Sequence, residues 1–316
     1  MNDTWTAPAQ RIVSLLPSAT EIVYALGLGE RLVGVTHECD FPAEARAKPQ
    51  LTASALPHAA GSAEIDRHVR AALHAGSSLY ALDSALLERL DPDLIVTQEL
   101  CEVCAVSYGI VARAAKRVRS DPRVVSLEPS SLEDVFANIA TVGDLTGTQA
   151  AAHAVVARLR ERVALLEAFV AGRPRPRTLV LEWTDPPMSG GHWTPGLVEL
   201  AGGRPLLANP GANSVVIGWD AIAASEPEIV IVAPCGYGLD ATLRAIAELQ
   251  AVDAWRALRA NAATAIYALD GNAYVNRPGP RLVDTAELFA SAIHAQPFGA
   301  GVTDARALRR IPGAPL

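Results

Sequence analysis

Short β-branched runs alternate with amphipathic stretches along this chain. Arg11–Leu15, Leu32–Val35, Asp93–Thr97 and Arg123–Leu127 read as buried strands. Ser18–Leu26, Ser84–Leu90 and Leu132–Leu145 carry helical spacing. Ser18 or Thr20 is placed to cap the first of these helices, and Gly27 to end it. Leu51–Gly61 carries no pattern and reads as a loop. Strands separated by helices build parallel βαβ units.

The middle of the chain differs. In Gln149–Val170, the residues Val155, Leu159, Val163, Leu166 and Val170 share one helical face. Gly172, Pro174 and Pro176 stop the helix. At 1.5 Å rise per residue it extends about 33 Å. A second set follows, with strands at Thr178–Glu182, Glu228–Ala233 and Ala265–Leu269. Its helices are Leu197–Leu200, Trp219–Ser225, Ala241–Ala260 and Arg281–His294. The residues after Pro297 are rich in Gly, Ala and Pro, and predict a loosely ordered tail. The expected fold is α/β. Residues 1–146 form an N-terminal lobe, 147–173 a connecting helix and 174–316 a C-terminal lobe, the two lobes being Rossmann-like.

Composition narrows the class. The chain has 316 residues, long enough for two cores, and 50% of them are hydrophobic, too many for a disordered chain. Twenty-seven basic against 34 acidic residues give a net charge of −7, with no basic run for nucleic acid. Four cysteines in this length are too sparse for a disulfide scaffold. No apolar run is long enough to span a membrane. Met1–Gln10 carries no signal-peptide pattern, which predicts a cytoplasmic protein as written, or a periplasmic or cell-surface one if a leader was removed.

The chemistry-bearing residues gather just after strands, where open α/β sheets bind ligands. Pro17 and Ser18 follow the first strand; His37, Glu38 and Cys39 the second; Gln98, Glu99, Cys101 and Cys104 the third. Trp183, His192 and Trp193 follow the first strand of the C-terminal lobe, Cys235 and Tyr237 the next, and Asn272, Tyr274 and Arg277 the last. Trp219 adds one more of the 16 aromatic residues. Aromatics of this kind either stack on a flat apolar ligand or simply pack the lobe. Arg277 and Arg281 either meet an anion or cap the last helix. Cys101-x-x-Cys104 has metal-pair or redox spacing, and Cys39 and Cys235 would complete a thiolate set if they converged. Each cysteine is otherwise a small buried hydrophobe. GxSxG, HExxH, GxxxxGK[ST] and GxGxxG motifs do not occur.

Several stretches together resemble the class III solute-binding proteins of ABC importers, which include vitamin B12, siderophore and haem binders. They are Arg11–Glu21, Gly34–Thr36, Asp40–Pro42, Leu90–Val96, Pro186–Gly190, Leu200–Gly203 and Ser225–Ile231, and the likeness runs from about Arg11 to His294. The resemblance implies two α/β lobes on one rigid helix with a ligand cleft between them, a small-molecule or metal-chelate ligand, and docking to a permease through one acidic residue per lobe. Asp220 stands at the C-lobe position, and Asp83 lies two residues before the N-lobe position, Ala85. Where the B12 binder carries tryptophans after its N-lobe strands, this chain has Gln98 and Ser126, and Met188 stands where an aromatic is expected. Thr97–Ala105 resembles the subgroup labelled cobalamin-binding.

The expected function is therefore capture without chemistry, of a cobalamin-like corrinoid or another metal chelate. One alternative is a thiolate-bound soft metal or metal–sulfur cluster on Cys39, Cys101, Cys104 and Cys235, since thiolates favour Zn, Cu(I) or iron–sulfur. Another is a cytoplasmic metallochaperone or enzyme, using His37, Glu38 and Cys101 as acid, base or nucleophile.

Overall fold

The computed structural model describes residues 7–54, 61–74, 79–98, 107–299 and 307–312. The first elements are β1 (Ile12–Ser14), α1 (Pro17–Ala25), β2 (Leu32–Gly34), β3 (Thr52–Ser54), α2 (Ser62–His74) and β4 (Tyr80–Leu82). Then come α3 (Ser84–Leu90), β5 (Leu94–Thr97), α4 (Tyr108–Ala115), β6 (Arg123–Ser126), α5 (Leu132–Thr146) and α6 (Gln149–Val170). The chain continues through β7 (Arg177–Thr184), β8 (Pro187–Ser189), β9 (Gly191–His192), α7 (Thr194–Leu200), β10 (Arg204–Pro205), β11 (Asn209–Pro210) and β12 (Val215–Val216). It closes with α8 (Trp219–Ala224), β13 (Ile229–Val232), α9 (Leu239–Glu248), α10 (Asp253–Ala260), β14 (Ala265–Leu269), α11 (Leu282–Ile293) and β15 (Leu308–Ile311).

The chain divides into two units. One comprises Met1–Ala59, Arg67–Glu128 and Asp134–Arg158; the other comprises Ala60–Asp66, Pro129–Glu133 and Leu159–Leu316. Helix α6 gives its first half to one unit and its second half to the other.

The first unit is built on a parallel sheet in the order β2-β1-β5-β6. Val13, Leu15, Leu51, Leu87, Ile95 and Val111 form its core. β5 is buried along its whole length, as an inner parallel strand covered on both faces must be. Gly143 lets α5 meet α6, since a Cβ there would stand 2.6 Å from the Cβ of Ala152. The second unit is built on β12-β8-β7-β13-β14-β15. Its central strands β7, β13 and β14 are parallel, whereas the flanking β8, β12 and β15 run antiparallel to their neighbours. Leu179, Leu181, Val230, Val232, Trp255 and Ala268 fill this core.

The α/β class and most elements match the sequence reading; four local expectations are corrected. Neither Ser18 nor Thr20 caps α1. Leu16 takes the cap position and Pro17 leads the helix, where its missing N–H costs nothing. The stretch 51–61 is not all loop, because Thr52–Ser54 pairs with Tyr80–Leu82. Ala241–Ala260 is not one helix. A continuous helix from Ile246 and Leu249 would bring Asp253 and Arg256 onto the core stripe. Instead a short 3-10 turn at Leu249–Ala251 and an extended Val252 reset the phase, and Trp255 is fully buried. The tail does not stay loose after Pro297: Leu308–Ile311 adds to the free edge of β14, which offers it a backbone ladder.

The second half of α6 is fastened to α11 by charge. The Arg162 guanidinium donates to Glu287 at 2.7 and 2.9 Å and also to Asp284. Burial pushes the Asp284 carboxyl up, against the pull of Arg162. Removing the cation strands two carboxylates in a part-buried site, whereas an apolar side chain of similar length keeps the packing but not the charge. Arg162→Ala is expected to cost about 3 kcal/mol, lowering the melting temperature by several degrees. Arg162→Ala combined with Asp284→Asn and Glu287→Gln is expected to recover part of that loss. Thermal denaturation by circular dichroism reads both variants.

Candidate functional site

In the first unit the strand order reverses between β1 and β5, the position where open sheets leave a crevice at their carboxyl ends. Pro17 and Ser18 leave β1 there, and Gln98 leaves β5. Pro17 is half-buried, whereas Ser18 and Gln98 are buried. His37 and Glu38 follow β2 and remain half-buried. The antiparallel pair β3–β4 holds them. Thr52 Oγ1 lies 2.7 Å from His37 Nδ1 and also accepts from the His37 backbone N–H at 3.1 Å. The Tyr80 ring packs 5.6 Å from the imidazole, and its hydroxyl donates to Glu38 at 3.5 Å. The imidazole is thereby held through its Nδ1 and by the Tyr80 ring.

The cysteines take different places. Cys39 is buried, with its sulfur 3.0 Å from Thr20 Oγ1 and 3.4 Å from Thr36 Oγ1, and Thr20 in turn donates to Ser14. Its thiol thus belongs to a chain of buried hydroxyls under the end of β1. Cys235 is exposed in the turn after β13. Glu99, Cys101 and Cys104 lie outside the described residues. Among the described residues no group of three or more His, Cys, Asp and Glu side chains is placed to hold a metal ion.

In the second unit the carboxyl ends of β7, β13 and β14 carry the aromatic residues. Trp183 and Tyr237 meet edge to face at 5.4 Å, and Trp183 Nε1 donates to the Asp185 carbonyl at 3.1 Å. The Tyr237 hydroxyl stands 3.4 Å from Ser62, which also bonds Thr184 at 2.8 Å. After β14, Asp270 caps a π-helical turn over Gly271–Val275. Gly271 has no substitute here: a Cβ would come within 2.4 Å of the Pro234 carbonyl. That close approach brings the Asn272 N–H to the Tyr237 carbonyl at 3.0 Å. Asn272 Oδ1 then accepts from the buried Arg277 guanidinium at 3.1 Å. Tyr274 is buried with Arg281 over its ring, so it packs rather than presents itself. His192 and Trp193 touch at 5.5 Å, and Trp193 Nε1 donates to the Val275 carbonyl at 2.8 Å. Burial holds the His192 imidazole below its ordinary pKa.

Trp183, Tyr237, Asn272 and Arg277 are thus brought together, and so are His37 and Glu38 within their own unit. Asp83 and Asp220 are exposed, each at the start of a helix, and Asp83 caps α3 by accepting from the Leu86 N–H at 2.8 Å. Sequence reasoning passed over Thr52, Ser62, Tyr80, Thr194 and Ser214. Hydroxyls carry no spacing signal, and their partners lie far along the chain.

Glu182, which the sequence places beside Trp183 near the end of β7 without assigning it a role, is the acceptor on which two of these hydroxyls converge. Its carboxylate accepts from Thr194 Oγ1 and Ser214 Oγ, both at 2.5 Å, and from the Gly191 N–H. Withdrawal from water pushes the carboxyl above its ordinary value, and the three donors act against that shift.

The periplasmic binding protein family model matches residues 12–273. The chain belongs to that family. It is 26% identical over 297 residues to a cobalamin-binding protein of Halobacterium salinarum, covering 92% of this chain and 71% of the relative. It is 24% identical over 285 residues to the vitamin B12-binding protein of Vibrio cholerae, covering 89% and 87%. Among solved structures, a periplasmic heme-binding protein from Pseudomonas aeruginosa has a TM-score of 0.70 at 21% identity, with 96% of this chain and 98% of that one covered. The Vibrio cholerae vitamin B12-binding protein has a TM-score of 0.64 at 21% identity, covering 91% and 98%. These structures share the fold.

The raised pKa of Glu182 has a consequence for stability. Its proton is held more tightly in the folded chain than in the unfolded one. That contribution is complete below the ordinary value of 4.5 and is lost as pH rises through the folded value. Glu182→Gln removes the charge and keeps an acceptor for the hydroxyls. The variant is expected to melt above the wild type at pH 7–8, with the gap closing as the pH falls toward 4.5. Melting curves across that range read the difference.

Proposed function

We propose that this chain is the solute-binding component of an ABC importer and that its ligand is a corrinoid of the cobalamin type. The observation that supports this best is the arrangement at the strand ends of the second unit. Trp183 and Tyr237 offer an aromatic ledge to a flat ring, and Asn272 with Arg277 offers polar groups beside it. Relatives named as cobalamin- and vitamin B12-binding proteins align along about nine-tenths of the chain, which favours a corrinoid over other metal chelates. In the first unit, Pro17, His37, Glu38 and Gln98 stand at the strand ends where a ligand would be met. The chain's part is capture, with no bond made or broken. Asp83 and Asp220 are the acids offered to a permease.

A corrinoid or porphyrin held this way binds at micromolar to nanomolar strength, about −8 to −12 kcal/mol. Calorimetry and visible spectra with cobalamin, cobinamide and haem test the reading. Cobalamin or cobinamide is expected to bind, and Trp183→Ala with Tyr237→Ala is expected to weaken binding about ten- to hundred-fold. Haem binding alone would move the ligand from corrinoid to porphyrin. Silence with all three would overturn the reading.

A further inference from the structure

Three stretches of the second unit meet at one carboxylate. Glu182 ends the inner part of β7, Thr194 opens α7, and Ser214 immediately precedes β12. Between Thr194 and Ser214 the chain makes a long excursion and returns, and β9 and β11 pair in parallel where it crosses itself. The crossing is tight. A Cβ on Gly191 would lie 2.4 Å from the Ser214 nitrogen and 2.5 Å from the Ala212 carbonyl, both backbone atoms that have no side chain to turn aside. The His192 N–H donates to Ala212 at 2.7 Å and the Gly211 N–H returns to His192 at 3.0 Å. His192 itself stands at φ 48°, in the left-handed region that a non-glycine residue holds only where its surroundings impose it.

Beneath this crossing lies Glu182, accepting from both hydroxyls at 2.5 Å and from the Gly191 N–H. Its own carbonyl accepts from the Cys235 N–H at 3.0 Å, so the residue is also tied to the end of β13. A carboxylate is the side chain that can accept several bonds at once without offering a competing donor. Next to it in sequence is Trp183, and His192 and Trp193 sit on the crossing itself.

We propose that Glu182 is a positioning residue: its carboxylate clamps the crossing of 189–194 over 212–216 onto the end of β7 and so fixes where Trp183, His192 and Trp193 stand for the ligand. The ligand part rests on the corrinoid-binding reading above; the clamp itself does not. Without an acceptor at 182, the Thr194 and Ser214 hydroxyls and the Gly191 N–H lose their shared partner, and the loss falls on the crossing rather than on the sheet. Glutamine keeps one acceptor oxygen and brings an NH2 group, whose N–H either hydroxyl can accept by rotating.

Hydrogen–deuterium exchange of the full chain, read by peptide, tests the clamp. In Glu182→Ala, peptides covering 189–216 are expected to exchange about ten-fold faster than in the wild type, while those covering Ile229–Val232 and Ala265–Leu269 keep their protection. Thr194→Val combined with Ser214→Ala is expected to reproduce the pattern, and Glu182→Gln to restore it to within about three-fold. In parallel, cobinamide affinity is expected to fall about ten-fold in Glu182→Ala and to recover in Glu182→Gln. Unchanged exchange over 189–216, or faster exchange spread equally over the sheet, would overturn the clamp. Local loosening with unchanged cobinamide affinity would overturn the positioning of the ligand. If the wild type binds no corrinoid or porphyrin, the functional reading falls, and the exchange pattern alone decides whether Glu182 clamps the crossing.

Discussion

A parallel strand covered on both faces reaches water only at its ends. β5 and β13 are buried at every position, and β7 until its last residues, where Trp183 is part-exposed, so only strand ends offer a ligand side chains. All backbone pairing is spent inside the ladder, as burial demands. The carboxyl-end turns are therefore the place where polar and aromatic groups can stand together, and the architecture of each unit follows from that constraint. Helices cover the faces, and the connections are left to carry recognition.

In the second unit those turns are not loose. Gly271 lets the turn after β14 press against the end of β13, and Gly191 lets one connection cross another at van der Waals distance. Glu182 sits under the second of these contacts. Partial withdrawal of a carboxylate from water costs desolvation, and here two hydroxyls and one amide offset it. The same arrangement recurs between α6 and α11, where Arg162 answers Asp284 and Glu287. In both cases the charge is tolerated because several partners converge on it, and the partners come from separate stretches of chain.

Much of this was legible beforehand. The alternation of apolar runs located the central strands β1, β5, β13 and β14 to within a residue or two, and Gly172 and the prolines after it marked the C-terminal end of α6. Tyr237, Asn272 and Arg277 do follow β13 and β14, because those strand ends are visible in sequence, whereas β7 runs two residues past the apolar run and takes in Trp183. What the pattern concealed were the short paired segments. Thr52–Ser54 and Val215–Val216 are too brief for a period to emerge, and Leu308–Ile311 follows a stretch whose composition reads as loose. The break at Val252 was hidden because Ala241–Ala260 is helical by propensity throughout, and only the core position of Trp255 demands the interruption.

By itself the sequence determined the α/β class, the parallel central strands and the family, since periodicity and strand-end motifs are local properties of the chain. The tertiary structure decided which of the strand-end residues meet. It sent the Cys39 thiol into a hydroxyl chain under β1, turned Tyr274 inward beneath Arg281, and joined Glu182 to Thr194 and Ser214. Each of these outcomes depends on groups brought together by folding, and a hydroxyl that will find its partner 12 or 32 residues away carries no mark of it in the chain.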